Sequence, residues 1–182
     1  LARLHPDGSV DLGFFPTMSD YSLFQIEVQP DGKILLAGSF TNINGVARNA
    51  LARLAADGSL DASFTSPLNP GSSVWTLAVQ GDGRILLGGP LLYLEGLRPG
   101  GILRVESTGA LDRSFDPQFG SSGGVTSLLL QSDGRVMAAG SFNEVNGTPR
   151  RNLARLLNDA GIGAGRIEFT AGSLSASEST PS

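Results

Sequence analysis

The chain has no cysteine, and it holds one lysine (Lys33), one histidine (His5) and one tryptophan (Trp75) in 182 residues. Without cysteine, neither a disulfide framework nor a thiolate metal site can form. Charge is scarce as well: 16% of residues are charged and the net charge is −4. That balance leaves no basic footprint for nucleic acid or for an anionic membrane, so neither is expected as a partner. No run of 18 apolar residues exists, so no membrane span is expected. No stretch shows a 3.6-residue apolar period with caps at both ends, so almost no helix is expected. No signal peptide is visible, and the chain opens with Leu1 in the middle of a repeat unit. The expectation is an internal piece of a longer protein.

Glycine and proline are abundant instead, 25 and 10 residues. The glycines fall at fixed positions of a repeat of about 51 residues, so they mark turns rather than disorder. One motif reads LARLHPDGSVDLGF from Leu1, LARLAADGSLDASF from Leu51 and ILRVESTGALDRSF from Ile102. A second alternates with it: VQPDGKILLAGSF from Val28, VQGDGRILLGG from Val79 and LQSDGRVMAAGSF from Leu130. Repeats of this length build a stack or ring of identical supersecondary units.

One repeat reads as four strands. Val74 to Gln80 is rich in β-branched and aromatic residues, and Gly81-Asp82-Gly83 supplies the positive φ angles of a tight hairpin. Arg84 to Gly89 is almost wholly apolar, which suits a strand buried on both faces between stacked sheets. After a variable loop from Pro90 to Gly101, Ile102 to Val105 forms the third strand and Ala110 to Phe115 a shorter fourth. The fold class is therefore all-β: a β-propeller fragment of four-stranded antiparallel blades. Residues 1–14 are the outer half of a preceding blade. Blades follow at 21–64, 74–115 and 125–157, the last without its fourth strand. Residues 158–166 form a Gly-rich linker, and 167–182 the first strand of a truncated second β domain.

The alternation of (V/L)QxDG(K/R)(I/V)LxAGSF with LARLxxDGSLDxSF resembles the delta-60 repeat, a bacterial β-propeller repeat without an assigned specific function. It runs from Leu1 to Leu156. The second repeat departs from it, with Pro90-Leu91 where Ser39-Phe40 and Ser141-Phe142 stand, and Thr108 in place of the turn aspartate. The tail RIEFTAGSLSASESTPS, with Ile167, Phe169, Leu174 and Glu178, looks like the start of a Calx-beta domain. Together these resemblances imply a large, secreted or cell-surface bacterial protein.

A residue present in every repeat holds the repeat together; function is expected where the repeat is broken. The turn pairs Asp31-Gly32, Asp82-Gly83 and Asp133-Gly134 are read as hairpin chemistry. Calcium needs six to eight gathered oxygens, and each turn offers one carboxylate, so no cofactor is expected except calcium bound through the tail domain. Arg3, Arg53, Arg104 and Arg155 recur in the third strand, and Asp11, Asp61 and Asp112 in the fourth. They read as ion pairs within or between blades, the alternative being a ring of arginines facing a ligand channel. Gly120 to Gly124 matches G-x-S-x-G in letters, but it precedes a strand and lacks the helix that motif requires. His5 lies in a turn, which argues against a triad built on it. No catalytic or metal-binding residue is assigned.

The ligand-binding candidates are Tyr21, Trp75, Tyr93 and Glu95, which break the repeat. Aromatic faces suit sugar rings and partner hot spots, although Trp75, on the first strand and nearest the axis, is expected rather to pack between blades. The function expected is a non-enzymatic scaffold or interaction module, its partners being other blades or domains of the parent and a carbohydrate or protein ligand. Two alternatives stand beside it: a carbohydrate-active hydrolase whose acids lie partly in other blades, and a calcium-dependent adhesin. Head-to-tail self-association through unpaired strand edges is a further expectation.

Overall fold

The computed structural model describes residues 1–18, 22–90, 94, 101–120 and 124–157. The first repeat contains β1 (Leu23–Val28), β2 (Ile34–Gly38), β3 (Asn42–Ile43), β4 (Val46–Ala47) and β5 (Leu51–Leu54). The second contains β6 (Thr76–Val79), β7 (Ile85–Gly89) and β8 (Gly101–Val105). The third contains β9 (Phe119–Gly120), β10 (Val125–Leu130), β11 (Val136–Gly140), β12 (Glu144–Val145), β13 (Thr148–Pro149) and β14 (Leu153–Leu156). No helix occurs among the described residues.

Each repeat builds one three-stranded antiparallel sheet from its longer strands, in the orders β1-β2-β5, β6-β7-β8 and β10-β11-β14, and a small further sheet has the order β13-β12-β9. The middle strands β2 and β7 are buried at every position, which explains their unbroken apolar sequence. The hairpins between first and middle strands are set by their Asp-Gly pairs. Asp31, Asp82 and Asp133 each accept the main-chain N–H two residues on, at 3.1, 3.0 and 3.0 Å. Gly32, Gly83 and Gly134 sit at φ +81°, +86° and +81°, the left-handed region that glycine enters freely.

The fourth strand is shorter than the sequence suggests. It makes a single antiparallel bridge in each repeat that has one: Leu4 to Val10, Leu54 to Leu60 and Val105 to Leu111. The reason is local. The aspartate after each bridge turns the chain by accepting a main-chain N–H two residues on, from Gly13, Ser63 and Ser114 respectively. Side-chain chemistry replaces the ladder there.

A second difference is the pair of small hairpins β3-β4 and β12-β13, which lie in stretches expected to be loop. Their two-residue turns are Asn44-Gly45 (φ +51° and +77°) and Asn146-Gly147 (φ +49° and +74°), the Asn-Gly signature of a tight hairpin. Asn44 does more than turn the chain. Its Oδ1 accepts Thr17 N–H at 2.8 Å and its Nδ2 donates to Gly58 O at 3.1 Å, tying the hairpin to the preceding connection and outer turn.

The core lies between sheets. Leu35, Ala37 and Leu51 of the first pack on Leu77, Ile85, Leu87, Leu103 and Val105 of the second. Leu86 and Ile102 of the second pack on Leu128, Val136, Ala138, Ala154 and Leu156 of the third. Strand alternation therefore sends one set of side chains back to the previous sheet and the other forward to the next. The outer sheets show the same rule in reverse. Ile26 is 43% exposed while its counterparts Leu77 and Leu128 are 2% and 9% exposed, and Leu153 is 54% exposed where Leu51 and Ile102 are 0% and 3%.

Candidate functional site

The recurring arginines and aspartates are brought together in every repeat that carries both. Arg3, Arg53 and Arg104 donate through Nε to Asp11, Asp61 and Asp112 at 2.7, 2.9 and 2.7 Å. Their guanidinium carbons lie 4.6, 4.6 and 4.5 Å from the ring centroids of Phe14, Phe64 and Phe115, the phenylalanines closing each outer motif. The fork also reaches the next repeat: Arg3 Nη1 donates to Ala56 O, and Arg53 Nη1 to Ser107 O at 2.7 Å. One planar cation thus meets a carboxylate, an aromatic face and the neighbouring turn at once, which lysine's point charge could not do. Arg155 occupies the same place in β14 and is also engaged.

A second cation joins from the middle strand. Lys33 lies 3.1 Å from Asp61, and Arg84 lies 3.4 Å from Asp112. The Ser63 hydroxyl, then Lys33 and Arg53, hold the Asp61 carboxyl far below the ordinary carboxylate range. Burial pushes Asp112 up, but the Ser114 hydroxyl and N–H with the Arg104 guanidinium outweigh it and bring the carboxyl down to about 2. Both acids are therefore ionised acceptors at neutral pH. Their lone pairs are taken up by the fold.

Of the repeat-breaking candidates, Tyr21, Tyr93 and Glu95 lie outside the described residues. Leu94, from the same loop as Tyr93, is half-buried against the core between the first and second sheets. Trp75 is 38% exposed and meets Phe24 edge to face, ring centroids 6.4 Å apart at 75°. Phe24 is a residue that sequence reasoning missed. Its signal was present, because it stands 51 residues before Trp75, at the same repeat position. Thr126 follows 51 residues after Trp75.

The backbone explains why these side chains stand out. Leu23 pairs with Gly38 and Gln25 with Ala37, so Phe24 is the extra residue of a β-bulge; Val125, Ser127 and the extra Thr126 repeat this in β10. Trp75 immediately precedes β6 at the equivalent place, its N–H donating to Gly88 O at 2.8 Å. A bulge re-aims its extra side chain away from the alternation that feeds the core. Just beyond it, the first strands bond across sheets. Gln25 exchanges two hydrogen bonds with the Leu77 main chain, at 2.9 and 2.8 Å, and Leu128 N–H donates to Thr76 Oγ1 at 3.2 Å. The first strands therefore form one continuous wall with Phe24, Trp75 and Thr126 along it.

Stacked four-element units joined edge to edge through their first strands define a β-propeller architecture. The family model described as "Domain of unknown function (DUF5122) beta-propeller" matches residues 1–14, 29–64, 80–115 and 131–159, and the chain belongs to that family. No curated protein and no solved structure gives a significant match.

Proposed function

We propose that this chain is a non-enzymatic interaction module, a propeller scaffold that presents a binding surface within a larger secreted or cell-surface bacterial protein. The observation that carries the reading is the fate of the charged side chains. Asp11, Asp61 and Asp112 are each bound by arginine in the same arrangement repeat after repeat, so the recurring acids serve the fold rather than a reaction. The surface placement rests on the resemblance to the delta-60 repeat and on the Calx-beta-like tail, which lies outside the described residues.

The test is turnover. Incubated with chromogenic glycosides, esters and phosphates, the purified protein is expected to release no chromophore above buffer. Release abolished by Glu27→Gln or Glu144→Gln, acids outside the repeat consensus, would establish the hydrolase alternative instead. The partners proposed are further blades of the parent protein, which suit the open faces at Ile26 and Leu153, and a carbohydrate or protein ligand. Calcium, if it contributes, acts through the tail, and a melting temperature unmoved by EDTA and by millimolar calcium counts against the adhesin reading.

A further inference from the structure

We infer that the equivalent positions 24 and 75, at the start of the first strands, form a stacking subsite for a neutral saccharide ring, with Trp75 and Phe24 as its platform. This rests on the interaction-module reading and assigns that module its surface and ligand class.

The repeat supplies an internal control for exposure. Ile26 and Leu153 are exposed only in the terminal sheets, and their counterparts in other repeats are buried. Position 24/75/126 behaves differently. Phe24 is 48% exposed, Trp75 38%, and Thr126 is exposed too. Trp75 belongs to the middle sheet, whose two faces are already covered by the first and third sheets. Its exposure therefore persists with both neighbouring sheets in place. At a solvent-facing position where threonine suffices in the third repeat, the first two carry the largest apolar side chains of their strands. Exposed aromatics of this kind mark binding surfaces.

The rim decides the ligand chemistry. The segments that carry these residues are Ser22-Leu23-Phe24, Ser73-Val74-Trp75 and Gly124-Val125-Thr126. The middle-strand ends paired with them are Gly38-Ser39, Gly89-Pro90 and Gly140-Ser141. None of these described residues is charged, so they suit an uncharged ligand better than an ion. Exposed rings crossed at 75° beside the hydroxyls of Ser22, Ser141 and Thr126 suit a molecule with an apolar face and an equatorial belt of hydroxyls. A neutral pyranose has that shape.

Trp75 is the only tryptophan, so emission excited selectively at tryptophan reports this position alone. The intact chain is titrated with cellohexaose, maltohexaose and mannohexaose, and with a proline-rich peptide as the competing ligand class. A saturable change of Trp75 emission with at least one hexasaccharide is expected. Phe24→Ala should weaken it about tenfold, whereas Phe24→Tyr, which keeps the ring, should bind like the parent. Circular dichroism of both variants separates lost binding from lost folding. If Trp75 is freely quenched by acrylamide yet no hexasaccharide changes its emission, the saccharide subsite is overturned and the module reading stands. A response to the peptide alone overturns it in the same way. Trp75 shielded from acrylamide in the free protein would also overturn it, because the platform would then be covered. Binding accompanied by cleavage of the saccharide would uphold the subsite and refute the non-enzymatic reading.

Discussion

Gly83 and Gly109 offer a controlled measurement of how tightly successive blades are joined at their outer edges. Both are the glycine of a hairpin turn in the second repeat, at φ +86° and +90°. A methyl group at either pays the left-handed penalty of about 1–2 kcal/mol for an L residue. Part is offset, by about 0.4–1 kcal/mol, because alanine restricts the unfolded chain. The two positions differ in what the methyl would meet. At Gly83 the nearest atom is Ser107 Cβ at 3.5 Å, an ordinary contact. At Gly109 it is main chain: Thr65 C at 3.0 Å and Thr65 N at 3.1 Å, with the Thr65 carbonyl oxygen closer still. Thr65 belongs to the strap leaving the first repeat, and its N–H donates to Thr108 O at 3.1 Å. Gly109→Ala must therefore lift the strap, losing that bond at about 1 kcal/mol and straining the packing by about 1–3 kcal/mol more. The expected costs are about 1 kcal/mol for Gly83→Ala and about 3–5 kcal/mol for Gly109→Ala. With roughly 2–4 °C per kcal/mol in a chain of this size, the melting points should fall by about 3 °C and about 10 °C. Urea unfolding of the parent and both variants reads the difference. Equal losses would refute the reasoning, since they would mean that the strap does not rest on the outer turn.

Arg104→Met should destabilise by about 3 kcal/mol, because it removes an ion pair and a stacked cation from a buried site and leaves Asp112 with the more distant Arg84 as its one cationic partner among the described residues; Arg104→Lys should recover less than half of this, as judged by urea midpoints. Acid unfolding should contain a step from Asp112. The Ser114 and Arg104 contacts bring its folded carboxyl down to about 2, below the 3.8 of a free aspartate, so the stabilisation is complete above about pH 4 and is lost as pH falls through 2. That difference is worth about 2 kcal/mol, and Asp112→Asn should flatten the stability profile between pH 4 and 2. Asn44→Ala should cost about 2 kcal/mol, since alanine tolerates φ +51° poorly and drops the bonds to Thr17 and Gly58. Asn44→Gly should recover the backbone part of that loss and not the bonds.

Local periodicity and turn chemistry are properties of neighbouring residues, and these are legible in the sequence. The 51-residue repeat, the middle strands at Ile34–Gly38 and Ile85–Gly89 and the Asp-Gly hairpins at Gly32, Gly83 and Gly134 belong to that set. The hairpin at Asn44-Gly45 has the right dipeptide, but strands of two residues carry no periodicity to flank it. What separates partners by a whole repeat was not legible. That Arg53 reaches Ser107, that Gln25 exchanges bonds with Leu77, and that Thr65 lies across the turn at Gly109 all depend on the angle at which sheets stack. The candidate site shows the same division. Sequence alone marked Trp75 as a break in the repeat, and aligning the repeats places Phe24 beside it in register. Only the tertiary structure decided that both side chains are exposed and meet edge to face across two sheets, because the bulge that re-aims Phe24 and the angle that brings Trp75 to it exist only once strands are paired and sheets stacked.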